Sequence, residues 1–460
     1  MSTDKLHFIG VGGVGMSGIA RVAHDQGMEV SGSDLKESRY TKQLRDAGVT
    51  VFIGQDGANI PEGDPMVVVS TAILDNNPEL IEARRRDLKI CHRAQMLAHL
   101  GRNLDTLAVA GTHGKTTTSS MLASTLDAMG CDPTFLIGGI VRAYGTNAHS
   151  GTGDYYVVEA DESDKSFTYL TPAAAIVTNI EADHLDHYEG IDEIYSQFRM
   201  FMEGVREGGP IVVCGDDEGL VAQARSTKRP VITYGFSEGC DARVTVWEAA
   251  GVGTRFTLRL PDGRMVASSI KQNPGLHNVA NGAAVLTLID ALGLDVETAA
   301  EKLGEFSGVR RRFDLAGEAA GVTVVDDYAH HPTEIAATIK AAKELDFKRV
   351  HVLFQPHRYS RAALFTEVMR DEFGAAFDGA DTVTFMDVYS AGEAPVPGIT
   401  GKTFLAPVVE HGHGGTRYVP RRIDVVPAMI EVAEPGDLII TMGAGDVTAV
   451  APQLVDELGR

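Results

Sequence analysis

The sequence predicts an α/β protein of about three domains, each built from strands alternating with helices. Three observations carry that expectation. The chain has 460 residues, enough for about three domains at roughly 150 residues each and for several buried cores. Much of its glycine, 50 residues in all, falls at the ends of short apolar runs, the punctuation of strand–helix alternation. From Gly321 onward, apolar runs and helical patterns alternate regularly.

Taken in order, a strand at 5–9 reaches a glycine turn and a helical stretch to about Gln26. A second strand, 29–33, ends at Asp34, and further units carry the first domain to residue 103. The second domain, 104–314, opens with a strand at 106–110 and a helical stretch ending near Met129. Strands at 155–159 and 174–178 each end in polar clusters. Residues 231–271 are β-rich and irregular, and a helix follows over 278–291. The third domain, 315–460, carries strands at 321–326, 349–354, 381–386, 417–419 and 437–441. Pro332 suits the first turn of a helix, where its missing N–H costs nothing.

A hydrophobic content of 44% excludes general disorder. The formal charge of −22 argues against nucleic acid or an anionic membrane as partner, since both need a basic footprint. Cys91, Cys131, Cys214 and Cys240 form no paired spacing, which suits a reducing cytosol and predicts neither a zinc site nor a disulfide framework. No signal-peptide apolar region precedes Gly10, and no apolar run nears the ~20 residues that span a bilayer. A soluble cytoplasmic protein without membrane insertion is expected.

Gly10-Val-Gly12-Gly13-Val-Gly15 follows the first strand and opens a helix, and Asp34 arrives 24 residues after Gly10. Such glycines let a backbone approach a diphosphate at a helix N-terminus. NAD is the first inference, yet the same geometry serves any nucleotide diphosphate, a UDP-sugar included. A tight turn without a ligand is the alternative.

Gly111-Thr112-His113-Gly114-Lys115-Thr116-Thr117 is more specific. Backbone amides there cradle phosphates, Lys115 brings a point charge to the β- and γ-phosphates, and the Thr116 hydroxyl can ligate Mg²⁺. The segment is shorter than the standard P-loop, because position 109 is valine rather than glycine. Gly398-Ile-Thr-Gly401-Lys402-Thr403 has the same glycine, lysine and threonine spacing but comes after a loop, so it reads as a turn and helix start. Glu159 leaves a strand beside the true cradle, where a Mg²⁺ ligand belongs. Asp161, Glu162 and Asp164 follow it, and a solvated acidic turn is the alternative for Asp164.

Asn179-Ile-Glu181-Ala-Asp183-His184-Leu-Asp186-His187 also follows a strand. Mg²⁺ prefers oxygen, so the chemistry alone leaves His184 open between a zinc ligand and a loop histidine. His277, Asn278 and Asn281 bring two amides and an imidazole to a helix start, able to read a base edge; capping by Asn278 is the alternative. Arg310-Arg311-Arg312, Arg358 and Arg361 are candidate clamps for phosphate or carboxylate. A solvated basic face is the alternative, and it fits residues 84–86. Asp326-Asp327-Tyr328-Ala-His330-His331-Pro332 leaves a strand's C-terminal end, where open α/β sheets bind ligands. Its paired histidines can equally be metal ligands or structural.

In order, the segments GVGGVGMSG, GTHGKTTT, EADESD, TNIEADHLDHY, PGLHNVAN, FSGVRRRFD, DDYAHHP, FQPHRYSR, YSAGEAPVPGI and MGAGDV resemble the Mur ligase family across essentially the whole chain. The turn Gly12-Gly13-Val-Gly15-Met16-Ser17 is similar to the alanine-adding branch, whereas the branch that recycles murein tripeptide typically carries a cysteine there. The resemblance implies a Rossmann-like N-terminal domain, a central P-loop ATPase domain and a Rossmann-like C-terminal domain. It implies ATP-dependent joining of L-alanine to the carboxylate of UDP-N-acetylmuramate through an acyl phosphate, in peptidoglycan precursor synthesis, by a monomer or homodimer. Closure of the third domain would bring the amine to the acyl phosphate.

By the same resemblance Gly12, Gly13, Val14, Gly15, Met16, Ser17, Asp34, Ser70 and Thr71 serve the UDP-sugar, which displaces the NAD inference. Residues Gly111 to Thr117, with His277, Asn278, Asn281 and Arg312, serve ATP. Thr116, Glu159 and His184 hold Mg²⁺, with two ions expected. Lys115, His184, Arg358 and Arg361 act in catalysis, and Asp327, Tyr328, His330 and His331 face the amino acid and acyl phosphate. The rival classes are a dehydrogenase, resting on the first turn alone, and a nucleotide-binding regulator without catalysis. One departure stands out. Sister ligases and folylpolyglutamate synthases place a carbamylated lysine after the histidine ligand, but this chain has no lysine between Lys165 and Lys228. Arg199 cannot supply the neutral amine that carbamylation needs. A site without a carbamate is therefore expected, with a surface place on an amphipathic helix as the plain alternative for Arg199.

Overall fold

In the computed structural model, residues 5–163, 165–181, 188 and 190–460 are described. Contacts divide the chain into two compact units: residues 1–247, 256–269 and 280–306, and residues 248–255, 270–279 and 307–460.

A five-stranded parallel sheet opens the first unit, in the order Thr50–Ile53, Glu29–Asp34, Lys5–Ile9, Met66–Val69, Ile90–His92. Its central strands Lys5–Ile9 and Met66–Val69 are short, mostly apolar and buried, as parallel strands covered on both faces require. The chain winds outward from Lys5–Ile9 in one direction, then returns to its other side at Met66–Val69. The carboxyl ends of these two strands therefore flank a topological switch point, the crevice where such sheets bind ligands. The glycine turn leaves one strand there, and Ser70 and Thr71 leave the other.

A ten-stranded sheet comes next, in the order Met265–Ile270, Gly253–Arg259, Ala242–Ala250, Val231–Gly235, Ile211–Cys214, Ala174–Val177, Asp105–Ala110, Tyr155–Glu159, Thr134–Val141, Thr146–His149. Asp105–Ala110 lies in its interior, between Tyr155–Glu159 and Ala174–Val177, both parallel to it. The helix Val14–Asp25 joins the two sheets within the first unit. Ile19, Ala20 and Val22 share one core with Leu136, Ala148 and Val158, and the Asn147 side-chain amide donates to the Val14 carbonyl at 3.1 Å.

The second unit carries a six-stranded sheet in the order Asp314–Ala319, Val322–Asp327, Leu438–Met442, Val350–Phe354, Thr382–Phe385, Thr416–Tyr418. Alternate residues face opposite cores, as the strand period of two demands. Val350, Val352 and Phe354 join Ile440 and Met442 on one face, while Leu353 and Ile439 join Val322 and Val324 on the other. The first strand pairs antiparallel at the edge. Among the described residues all four cysteines are free thiols, and no helix is long and apolar enough to cross a membrane.

Candidate active site

The cradle is shaped by the turn that leaves Asp105–Ala110. Gly111 has φ +138°, and an added Cβ would lie 1.9 Å from the Thr178 hydroxyl, so only glycine lets the chain turn there. Gly114 caps the helix Lys115–Ala128 in left-handed conformation. The loop is held from the neighbouring strand's end. Thr178 donates to the His113 carbonyl at 2.5 Å, and Asn179 accepts the His113 N–H at 2.9 Å and donates back to its carbonyl at 3.1 Å. The Glu181 N–H donates to the Thr112 hydroxyl at 2.8 Å. The segment after Ala174–Val177 thus braces the loop expected to cradle phosphates, a role its motif did not announce.

Thr116 donates to Glu159 at 3.0 Å, and the other oxygen of Glu159 accepts the Gly138 N–H at 2.7 Å. A Cβ on Gly138 would meet that carboxylate at 2.8 Å, so a side chain there would push it away. A hydroxyl and a carboxylate side by side at a phosphate loop are hard oxygen donors, which fits Mg²⁺. His184, the other expected ligand, lies outside the described residues, as do Asp164, Asp183, Asp186 and His187.

Lys115 donates to the Gly111 carbonyl at 2.6 Å, to the Thr112 carbonyl at 3.1 Å and to Glu162 at 2.7 Å. Burial alone would lower its pKa, but Glu162, with Asp161 and Glu159, more than offsets that and holds it above the ordinary value. Burial pushes the Glu162 carboxyl up to about 7 against the pull of Lys115. Asn281 lies beside Gly114 in the first unit, its side-chain oxygen 3.0 Å from where a Cβ would stand. Thr117 is buried in the first turn of the cradle helix.

A cavity of about 450 Å³ links this acidic edge to the first glycine turn. Gly13, Val14, Gly15, Met16, Ser70 and Thr71 line one side of it, and Gly138, Asn147, Glu159 and Asp161 the other. Arg93, also in the lining, pairs with Asp161 at 3.3 Å. The structure thus brings together most residues expected at the UDP-sugar and the metal. Gly12 and Asp34 stand just outside this lining: Asp34 accepts the Gly12 N–H at 2.8 Å, fixing the turn. Ser17 donates to the Val14 carbonyl at 3.0 Å and lines a different cavity, of about 480 Å³. Arg93, Gly138 and Asn147 escaped the sequence reading, for none sits in a phosphate-binding pattern.

In the second unit, Asp327, Met442 and Phe354 end three neighbouring strands in register. Asp327 accepts the N–H groups of Phe313 at 2.7 Å and Ala329 at 2.8 Å; burial lifts its carboxyl to about 6 against the pull of Arg312. The guanidinium groups of Arg311 and Arg312 lie over the Tyr328 ring, at 4.7 and 5.3 Å. His330 pairs with Glu334 at 3.2 Å. His331 is fully buried and caps the helix Pro332–Lys343, with Pro332 at its first position as expected. His277 is exposed at the surface near Arg312, yet desolvation by the atoms packed around it first, then that charge, lowers its pKa to about 4. Asn278 does not cap its helix, Leu276–Ala291; it lies in the first turn and donates to the Pro274 carbonyl at 2.8 Å.

Arg358 holds φ +69°, its N–H bonded to the Tyr389 carbonyl at 2.8 Å. The Arg361 guanidinium lies 5.9 Å over the Phe365 ring. Burial, then His330, Arg361 and Arg358, lowers His357 to about 3. Arg358 and Arg361 thus stand at this end of the sheet beside a His357 imidazole kept neutral. The lookalike at 398–403 is a capped helix start: Thr400 accepts the Lys402 N–H and forms a capping box with Thr403. Arg199 is exposed on the helix Ile191–Glu203, 3.9 Å from Glu203.

Residues 5–104 match the model of the Mur ligase family catalytic domain, 109–289 that of the Mur ligase middle domain, and 311–445 that of the Mur ligase glutamate ligase domain. The chain is 45% identical to the UDP-N-acetylmuramate–L-alanine ligase of Thermobifida fusca, covering 100% of this chain and 98% of that protein. It is 44% identical to the enzyme of that name from Brucella anthropi, with the same coverage. The crystal structure of the UDP-N-acetylmuramate-alanine ligase of Thermotoga maritima is similar at a TM-score of 0.82 and 30% identity, covering 98% of each chain. A murein peptide ligase from Psychrobacter arcticus is similar at 0.72 and 26%, covering 99% of each. The chain belongs to the Mur ligase family.

Proposed function

We propose that this chain is an ATP-dependent ligase that joins L-alanine to the lactyl carboxylate of UDP-N-acetylmuramate, a cytoplasmic step of peptidoglycan precursor synthesis. The observation that carries the reading is the cavity running from the first glycine turn to Glu159 beside the phosphate loop. A UDP-sugar whose diphosphate lies on that turn has its far end directed at the metal-ligand edge. The reaction spends ATP, which places it in the cytoplasm; the active species is a monomer or homodimer.

A carboxylate is a poor electrophile. Its oxygen attacks the γ-phosphorus of ATP in line, the bond to the β-phosphate oxygen breaks, and ADP leaves an acyl phosphate. The alanine amine, deprotonated, then attacks the acyl carbon and the tetrahedral adduct expels phosphate. Amides of the cradle and the Lys115 ammonium stabilise charge on the transferring group. In the second unit, Arg358 and Arg361 are assigned the same task, and Asp327, Tyr328, His330 and His331 the amino acid. Mg²⁺, held at Thr116 and Glu159 and in a second ion at His184, would supply charge neutralisation between the phosphates.

The test is phosphate release from ATP and Mg²⁺, crossing UDP-N-acetylmuramate against a panel of L-amino acids. Release is expected with both substrates together. Alanine is expected to exceed glycine only modestly, since one methyl is worth ~1–3 kcal/mol in an apolar pocket, and serine should react weakly. A preference for glycine or for a bulky amino acid would refute the assignment.

A further inference from the structure

We propose that Glu162 is a positioning residue for Lys115, the carboxylate from which the triphosphate must take the cradle lysine. The proposal rests on reading Gly111 to Thr117 as the ATP cradle. All three donor positions of the Lys115 ammonium are engaged: two by the Gly111 and Thr112 carbonyls, one by Glu162 at 2.7 Å. The carbonyls belong to the loop that wraps the phosphates, so they stay with the lysine. Glu162 comes from outside the loop, in the turn after Tyr155–Glu159. An incoming triphosphate therefore competes with this carboxylate rather than with the loop.

The competitor is built into the fold. Glu162 is 3% exposed and Lys115 13%, so water screens the pair little and their attraction is large. The Glu162 carbonyl accepts the Lys165 N–H at 3.0 Å and the Tyr188 hydroxyl, which fixes the turn that aims the carboxylate. Asp161 beside it is drawn off by Arg93 at 3.3 Å, and Glu159 by Thr116 and Gly138. Among the described residues, three acids stand at this edge, and Glu162 is the one hydrogen-bonded to the lysine. Its place in the cycle is to hold Lys115 over the cradle without phosphates and to yield it to them, which also lets ADP go when the cycle ends.

Glu162→Gln keeps the shape and removes the competing charge. Nucleotide binding then no longer breaks a buried ion pair, and calorimetry should show ADP–Mg²⁺ bound roughly three- to tenfold more tightly than by the unaltered protein. In turnover, the KM for ATP and kcat should fall together, because ADP is released more slowly. Simply deleting a negative charge near phosphates would also tighten binding, so the same change is made in a Lys115→Ala background, where the proposal expects less than about twofold. Equal tightening in both backgrounds, or unchanged or weaker ADP binding in Glu162→Gln, would overturn it. If Glu162→Gln does not fold, Glu162→Asp, which withdraws the carboxylate by one methylene, carries the same expectation. Failure of the unaltered protein to bind ADP would instead remove the cradle reading itself.

Discussion

Two glutamates buried in the first unit, Glu79 and Glu162, meet opposite fates. Glu79 lies under the five-stranded sheet with its side chain fully covered. Ser33 donates to it at 2.6 Å, Asn59 at 2.7 Å and the Asp56 N–H at 3.2 Å, and His7 stands 3.3 Å away. Burial would raise its pKa, but the hydrogen bonds from His7, Ser33 and Asn59 outweigh that and hold it below the ordinary value. Glu162 has a lysine at 2.7 Å and yet is held up at about 7 by burial. Many fixed, short-armed donors make a permanent structural anion. One long, mobile cation makes an anion that can be relieved of its partner, and that distinguishes a site from a scaffold.

The largest expected effect comes from removing the cation. Lys115→Ala should lower phosphate release by about 10³-fold, as losing a main source of transition-state charge does. The UDP-sugar should still bind, because its turn lies on a different sheet. A comparable loss of UDP-sugar affinity by calorimetry would erase the separation between the two ligands.

Replacing the fixed anion should do the reverse. Glu79→Ala strands the donors of Ser33 and His7 in the buried interior and releases the half-buried Asn59, a cost of about 3–5 kcal/mol. Amide exchange in the strand Lys5–Ile9 should quicken while the KM for ATP stays unchanged. A raised KM with unaltered exchange would make Glu79 part of the site and collapse the contrast.

A smaller effect is expected from protonation. The Glu79 carboxyl sits below its ordinary value of 4.5 in the folded chain, so the unfolded chain binds its proton first as pH falls. Its contribution is fully present above 4.5 and is lost as pH falls through the folded value. Protection of Lys5–Ile9 should therefore decline in that acid window, and Glu79→Gln should flatten the decline. An identical acid profile in Glu79→Gln would show that other groups govern it.

These contrasts also mark what the sequence could disclose. The strands Lys5–Ile9 and Tyr155–Glu159 were legible end to end, because doubly covered parallel strands read as short, mostly apolar runs bounded by polar residues or glycine. Thr134–Val141 was not, since Gly138 and Gly139 interrupt its run, and the edge strand Asp314–Ala319 is too polar and exposed to show a pattern. The cradle was legible because its chemistry is local, spanning seven consecutive residues. Arg93, Gly138 and Asn147 reach the neighbouring cavity through sheet register and helix packing, which no short motif encodes. Glu162 was visible within its acidic cluster, but only the fold shows which acid takes the lysine.

The smallest expected effect is none at all, and it tests the comparison at a third charge. Carbamylation requires a neutral amine. Lys115 is held as an ammonium by Glu162, with its pKa above the ordinary value. Lys165, which precedes the long lysine-free stretch, pairs with Glu193 at 2.5 Å and lies 5.0 Å over the Tyr188 ring. Arg199 stays protonated and points to the surface beside Glu203. Lys115 and Lys165 are thus each paired with a carboxylate, and Arg199 carries no amine to offer carbon dioxide. A second Mg²⁺ would rely instead on His184, waters and substrate oxygens, in keeping with the many waters this ion retains. Rigorous removal of bicarbonate should leave the rate of phosphate release unchanged. Rescue of a decarbonated enzyme by bicarbonate, or density for a carbamate on Lys115 or Lys165, would show that one of these pairs opens far enough to free its amine.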